Sequence, residues 1–215
     1  MIKNSLKPIK INEFLHDEDL SVQDIINLNN GNVEIKYDPV TGFPREIKGK
    51  YTTRKIFEVQ DSVKSLSSVR TIMHINELTF ACIEEEKREN KKLYRLQQLY
   101  KNIPVYGAEF FVIINNNGEP IYLNGTYITI ISLEAKPKIT AKEAKKNIIL
   151  QKGMKIINTD LIIYPISNKD NRLSWKLTIK AKTLQNYKFY FIDANTNELL
   201  GDYPLAIFNA NFISK

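Results

Sequence analysis

Apolar and polar residues alternate along two runs of the chain, Tyr94 to Tyr100 (YRLQQLY) and Val105 to Asn115 (VYGAEFFVIIN). This spacing predicts half-buried strands, because successive strand side chains point to opposite faces. Ile103-Pro104-Val105 joins the two runs, and Pro104 is expected to fix a chain reversal there. A hairpin is predicted at Asn115-Asn116-Asn117-Gly118. The same alternation marks Val33 to Tyr37, followed by a turn at Asp38-Pro39-Val40-Thr41-Gly42 and a second strand from Pro44 to Tyr51. Further strands are predicted at Leu78–Glu85, Lys91–Tyr100 and Glu119–Ile131. Val63, Leu66, Val69, Ile72 and Met73 recur at three and four residues, which predicts a helix over Asp61–Met73. Ser21 is an N-cap candidate for a short helix carrying Val22, Ile25, Ile26 and Leu28, stopped by Asn29-Asn30-Gly31.

Pro137 marks a boundary. Beyond it, Thr140 with Glu143 three residues later forms a capping box for a helix expected to reach Lys152 and end at Gly153. Strands are predicted at Leu161–Ser167, Leu173–Thr183, Tyr187–Asp193 and Glu198–Tyr203, with polar turns at 168–171, 184–186 and 194–197. The expected fold class is α+β, with two modules that each pack a helix against an antiparallel sheet.

At 215 residues the chain is long enough to bury a sizeable core. Its net charge of +7 favours acidic partners, an anionic envelope or nucleic acid. The basic residues are scattered, however, and the densest run, Lys87 to Lys92, lies beside Glu84, Glu85, Glu86 and Glu89. That is a solvated face of mixed sign, and no nucleic-acid motif accompanies it, so no nucleic-acid partner is expected. The single cysteine, Cys82, excludes an intramolecular disulfide and sits in an apolar stretch as a small core residue. No apolar run is long enough to span a membrane. Lys3, Lys7 and Lys10 precede no hydrophobic segment, so no signal peptide is visible.

Candidate chemistry is sparse. A zinc protease needs two histidines one helical turn apart with a Glu between them. The chain has only His16 and His74, far apart and outside any such pattern. Asp193-x-Asn195-x-Asn197 imitates the start of a calcium loop, but Glu198 replaces the required Gly and Pro204 the closing Glu, which leaves a β-turn. Histidine-dependent nucleophilic sites lack their base, and no Gly-rich phosphate loop occurs. No catalytic residue, metal site or cofactor is therefore expected.

Several motifs resemble the proregion of thermolysin-like secreted zinc metalloproteases. They are Asp38-Pro-x-Thr-Gly42-x-Pro44, Arg95-x-x-Gln98, Pro104-Val105-x-Gly107, and a hairpin with Gly118 and Gly125. The opening Ile139-Thr140-Ala141-x-Glu143-Ala144, the Trp175 strand and Phe191-Ile192-Asp193-Ala194 resemble the PepSY module, a cystatin-like unit that follows in the same proregions. The resemblance spans about residues 31 to 205. It implies an N-terminal segment with a short helix (1–30), an FTP-like module (31–135), a PepSY module (136–205) and a C-terminal tail (206–215). It also implies a secreted propeptide, without its catalytic domain, that helps a thermolysin-like protease fold and then inhibits it. In that family the tail lies substrate-like in the cleft; here it carries Leu205, Ile207, Phe208, Phe212 and Ile213. Turn positions such as Pro104 and Gly107 serve the fold before they serve contact with protease. The alternative is a cell-envelope or spore-associated PepSY interaction module that regulates a lytic enzyme.

Overall fold

The computed structural model describes residues 6–11, 19–167, 170–180 and 187–204. They form two compact units that meet in sequence between Thr129 and Ile130. The first contains β1 (Ile9–Ile11), α1 (Val22–Leu28), β2 (Glu34–Tyr37), β3 (Pro44–Lys48), α2 (Val59–Ser65), β4 (Leu78–Arg88), β5 (Lys91–Tyr100), β6 (Ile103–Asn115) and β7 (Pro120–Gly125). Its strands pair antiparallel in the order β1-β4-β5-β6-β7-β3-β2. The second contains α3 (Ala141–Lys146), β8 (Lys155–Pro165), β9 (Asn171–Lys180), β10 (Tyr187–Asp193) and β11 (Leu199–Pro204). These strands pair antiparallel in chain order.

The period-two pattern places the first core. Phe80, Tyr94, Leu96, Phe110, Val112 and Leu123 are all buried and belong to one cluster with Ile25 of α1 and Val63 of α2. Leu66 and Val69 join them from a 3-10 turn that continues α2. Each such side chain contributes about 1.5–3 kcal/mol when fully buried. The predicted helix over Asp61–Met73 is shorter and tighter than its spacing implied. Ser62, Ser65 and Ser67 donate their hydroxyls back to the carbonyls of Val59, Ser62 and Lys64, at 2.6, 2.8 and 2.7 Å. Serine bonded to its own helix competes with the regular ladder. These serines are buried, and Ser65 and Ser68 pair further with Tyr51 and Thr52 at 2.8 and 2.9 Å.

The expected α+β class is not what forms: the structure is mostly strand, and its helices are too short to make the expected helix-on-sheet modules. Strand accounts for 47% of the described residues and helix for 13%. The three α-helices among the described residues have seven, seven and six residues. In the second unit α3 stops at Lys146 instead of reaching Lys152, and Ala144 is its one buried side chain. Asn147 ends the helix by donating its side-chain amide to the Asn197 carbonyl, and β-branched Ile148 and Ile149 follow. The protein is a mainly β structure with short helices, and the cystatin-like arrangement expected for the second half is corrected with it.

Strand limits shift as well. β7 ends at Gly125 rather than Ile131, β8 begins at Lys155 rather than Leu161, and β1 had no predicted counterpart.

Candidate functional site

The reversal between β5 and β6 falls at Lys101-Asn102, not at Pro104. Both residues have positive φ, 48° and 66°, and Tyr100 pairs with Ile103 across them. Two left-handed residues make the tight turn that suits strand twist. Pro104 lies inside β6 opposite Leu99.

From there the pairing jumps, so that Gln97 faces Glu109 while Val105 to Ala108 bulge out of β6. The bulge is clamped by Gln97, whose Nε2 donates to the carbonyls of Val105 at 2.7 Å and Ala108 at 2.9 Å. Gly107 sits within it at φ +78°, with open space where a Cβ would be. Its glycine therefore serves the left-handed backbone rather than close packing.

Gln98, buried beside it, pairs with the chain that leaves β7. Its Nε2 donates to the Ile128 carbonyl at 2.7 Å, and its Oε1 accepts from the Ile128 N–H at 2.9 Å. Just before that segment, a Cβ on Gly125 would meet Phe110 Cδ1 at 2.4 Å and the Glu109 carbonyl at 2.5 Å, so only glycine fits. Arg95 lies on the outer face, donating from Nε to Glu109 Oε2 at 2.7 Å and lying over the Phe111 ring. Arg95, Gln98, Pro104, Val105, Gly107 and Gly125 thus converge on β5, β6 and the exit of β7.

Asp38, Gly42 and Pro44 lie apart from that group, in the β2–β3 hairpin. Asp38 Oδ1 accepts from the N–H groups of Val40 and Thr41 at 3.0 and 2.8 Å. These bonds, first that from Thr41, hold its carboxyl below the usual range. Gly118 closes the β6–β7 hairpin, where Asn115 Oδ1 accepts from Asn117 and Glu119.

Trp175 and Asp193 belong to the second unit. The Trp175 indole donates to the Ile139 carbonyl at 3.0 Å and packs against Ala144, Leu177 and Ile192. Asp193 is buried, and its Oδ1 accepts from Asn195 and Thr196 at 2.7 and 3.0 Å, which builds the β10–β11 turn.

Among the described residues no three His, Cys, Asp or Glu side chains gather into a metal-holding group. His74 stacks on Phe43 with ring centroids 3.6 Å apart. The half-buried Cys82 donates to the Glu84 carbonyl at 3.2 Å, and burial pushes its thiol up, away from thiolate chemistry. No helix among the described residues is long and apolar enough to cross a membrane. His16 and the tail positions Leu205, Ile207, Phe208, Phe212 and Ile213 lie outside the described residues.

Sequence reasoning missed the role of Gln97. Its signal was the Gln97-Gln98 pair between Leu96 and Leu99, two polar amides in a run that is otherwise apolar on its buried face.

Residues 90–127, spanning β5 to β7, match the family model of the fungalysin/thermolysin propeptide motif. This stretch holds the convergent group just described and carries a motif of non-catalytic propeptides. No curated protein matches the chain. Among solved structures, the Bacillus megaterium YpeB C-terminal domain is similar at 16% identity, covering 87% of this chain and 98% of that one, with a TM-score of 0.43.

Proposed function

We propose that the protein is a non-catalytic propeptide that helps a thermolysin-like zinc metalloprotease to fold and then inhibits it outside the cell. The observation that carries this reading is the propeptide motif over 90–127, whose span holds Arg95, Gln98, Pro104, Val105, Gly107, Gly118 and Gly125. In this reading residues 31–135 are the FTP module and 136–205 a PepSY module. The first supplies a rigid sheet on which a folding catalytic domain is templated. Gln97 and Gln98 support rigidity there, since each fastens irregular backbone to β5. Inhibition is by steric occlusion, with the apolar tail residues Leu205, Ile207, Phe208, Phe212 and Ile213 entering the cleft as an extended strand. The chain contributes no reacting group.

The test is refolding in trans. A denatured thermolysin-like catalytic domain is diluted with and without the purified chain, and recovered protease is measured after the chain is removed. The proposal expects a recovery that rises with chain concentration and saturates near equimolar. Equal recovery with serum albumin at the same concentration overturns the chaperone role.

A further inference from the structure

We propose that the Lys155–Lys180–Tyr187 end of the second unit's sheet, on the face turned away from α3, docks an acidic protein segment that also carries apolar side chains. The proposal deepens the reading above, because it identifies that segment with part of the protease catalytic domain.

Two like charges face each other across β8 and β9. Lys155 of β8 stands directly opposite Lys180 of β9, and Lys180 opposite Tyr187 of β10. Cross-strand partners share a face, so like charges at such positions oppose each other. Neighbouring Ile156 packs with Ala144 of α3, which puts Lys155 and Lys180 on the other side of the sheet.

Other cationic pairs in the sheets have help. In Lys87–Lys92, Lys92 meets Glu85 at 2.7 Å; in Arg88–Lys91, Arg88 meets Glu86 at 2.9 Å. The lysines of β2 and β3 are neutralised by Glu34 and Glu46. Among the described residues neither Lys155 nor Lys180 forms an ion pair, although Lys176 of β9 and Lys188 of β10 meet Asp160 and Asp202. A bound carboxylate would relieve the repulsion.

Aromatic rings extend the same face. Phe189 is opposite Thr178 on one side and Tyr203 on the other. Lys180 Nζ lies 5.9 Å from the Tyr187 ring centre and Lys176 Nζ 5.1 Å from that of Phe189. Tyr203 is 48% exposed, and Tyr187 and Phe189 are half-buried. Cations set among accessible rings suit a segment with both carboxylates and apolar side chains. This selects a peptide over a phosphate polymer, which offers nothing to the rings.

The test uses the full chain and a decapeptide of alternating Glu and Phe, with the matching Lys and Phe peptide and inorganic polyphosphate as comparisons. Binding is followed by amide shifts. The acidic peptide is expected to move Lys155, Lys180, Tyr187 and Phe189, and K155E/K180E is expected to weaken it by about tenfold or more. K180Q, which removes the charge without inverting it, gives a smaller loss and guards against misfolding of the double variant. Shifts elsewhere, equal binding of the basic peptide, or capture of polyphosphate but not the acidic peptide each overturns the proposal. A protease assay separates it from the reading it rests on. Inhibition by the wild type that survives K155E/K180E removes this face but keeps the protease partner. Capture of the acidic peptide without any inhibition keeps the face and removes the protease.

Discussion

The carboxamide of Gln98 is bonded to the main chain of Ile128 in both directions, as a neighbouring strand would be. One side chain thereby replaces a ladder step for the segment that leaves β7. Gln98→Leu keeps the volume but leaves the Ile128 N–H and C=O without these partners, at a cost of about 2–3 kcal/mol. Urea unfolding measures it. A loss under about 0.5 kcal/mol would show that water replaces the amide without penalty.

Two glycines separate packing from backbone strain. Gly125→Ala drives a Cβ into Phe110 and the Glu109 carbonyl, and about 1–3 kcal/mol or more is expected. Gly107→Ala meets no atom and bears only the left-handed backbone, about 1–2 kcal/mol. Gly107→Asn, which tolerates that region, recovers part of the loss, whereas Gly125→Asn recovers none. Thermal denaturation of the four variants checks the contrast.

Acid weakens the fold through its turns and caps. Asp38, Asp24 and Glu143 have carboxyls held low by bonds from Thr41, Ser21 and Thr140 respectively. A depressed folded value means stability that is complete above the unfolded values of 3.8 and 4.5 and is lost as pH falls through the lower folded ones. The urea midpoint should therefore decline below about pH 4.5, and Asp38→Asn should flatten that decline. At the alkaline end burial pushes Tyr127 up to about 12, from an ordinary 10.0. Its stabilisation is complete below the unfolded value and fades as pH rises toward the folded one, and Tyr127→Phe removes that slope.

Trp175 is the one tryptophan of the chain. Its place between Ala144 and the sheet makes it a reporter of the second unit. Trp175→Phe should cost about 1 kcal/mol for the lost bond to Ile139. Wild-type emission should move to the red in the same urea range where circular dichroism of the strands is lost. An emission already characteristic of water before unfolding would contradict the packing.

The sequence showed the parts of this fold that depend on local chemistry. The turn residues of Asp38–Gly42 and Asn115–Gly118, the N-cap at Ser21 and the capping box at Thr140 act within four residues, and each forms where predicted. The reversal at Lys101-Asn102 was hidden because Pro104 offered a stronger local signal two residues on. Helix lengths were overestimated because spacing alone cannot see Ser62, Ser65 and Ser67 bonding backwards, or Asn147 reaching Asn197 fifty residues away. The roles of Gln97 and Gln98 depend on a bulge and a distant segment, which no periodicity encodes.

The proposed function has this chain work by covering a protease. The most direct measurement is a titration of a thermolysin-like metalloprotease with the purified full chain, with initial rates on a short peptide substrate. Dose-dependent inhibition is expected, complete at micromolar chain and weaker when 206–215 are removed. Unchanged rates across that range, while circular dichroism shows the chain folded, would contradict it.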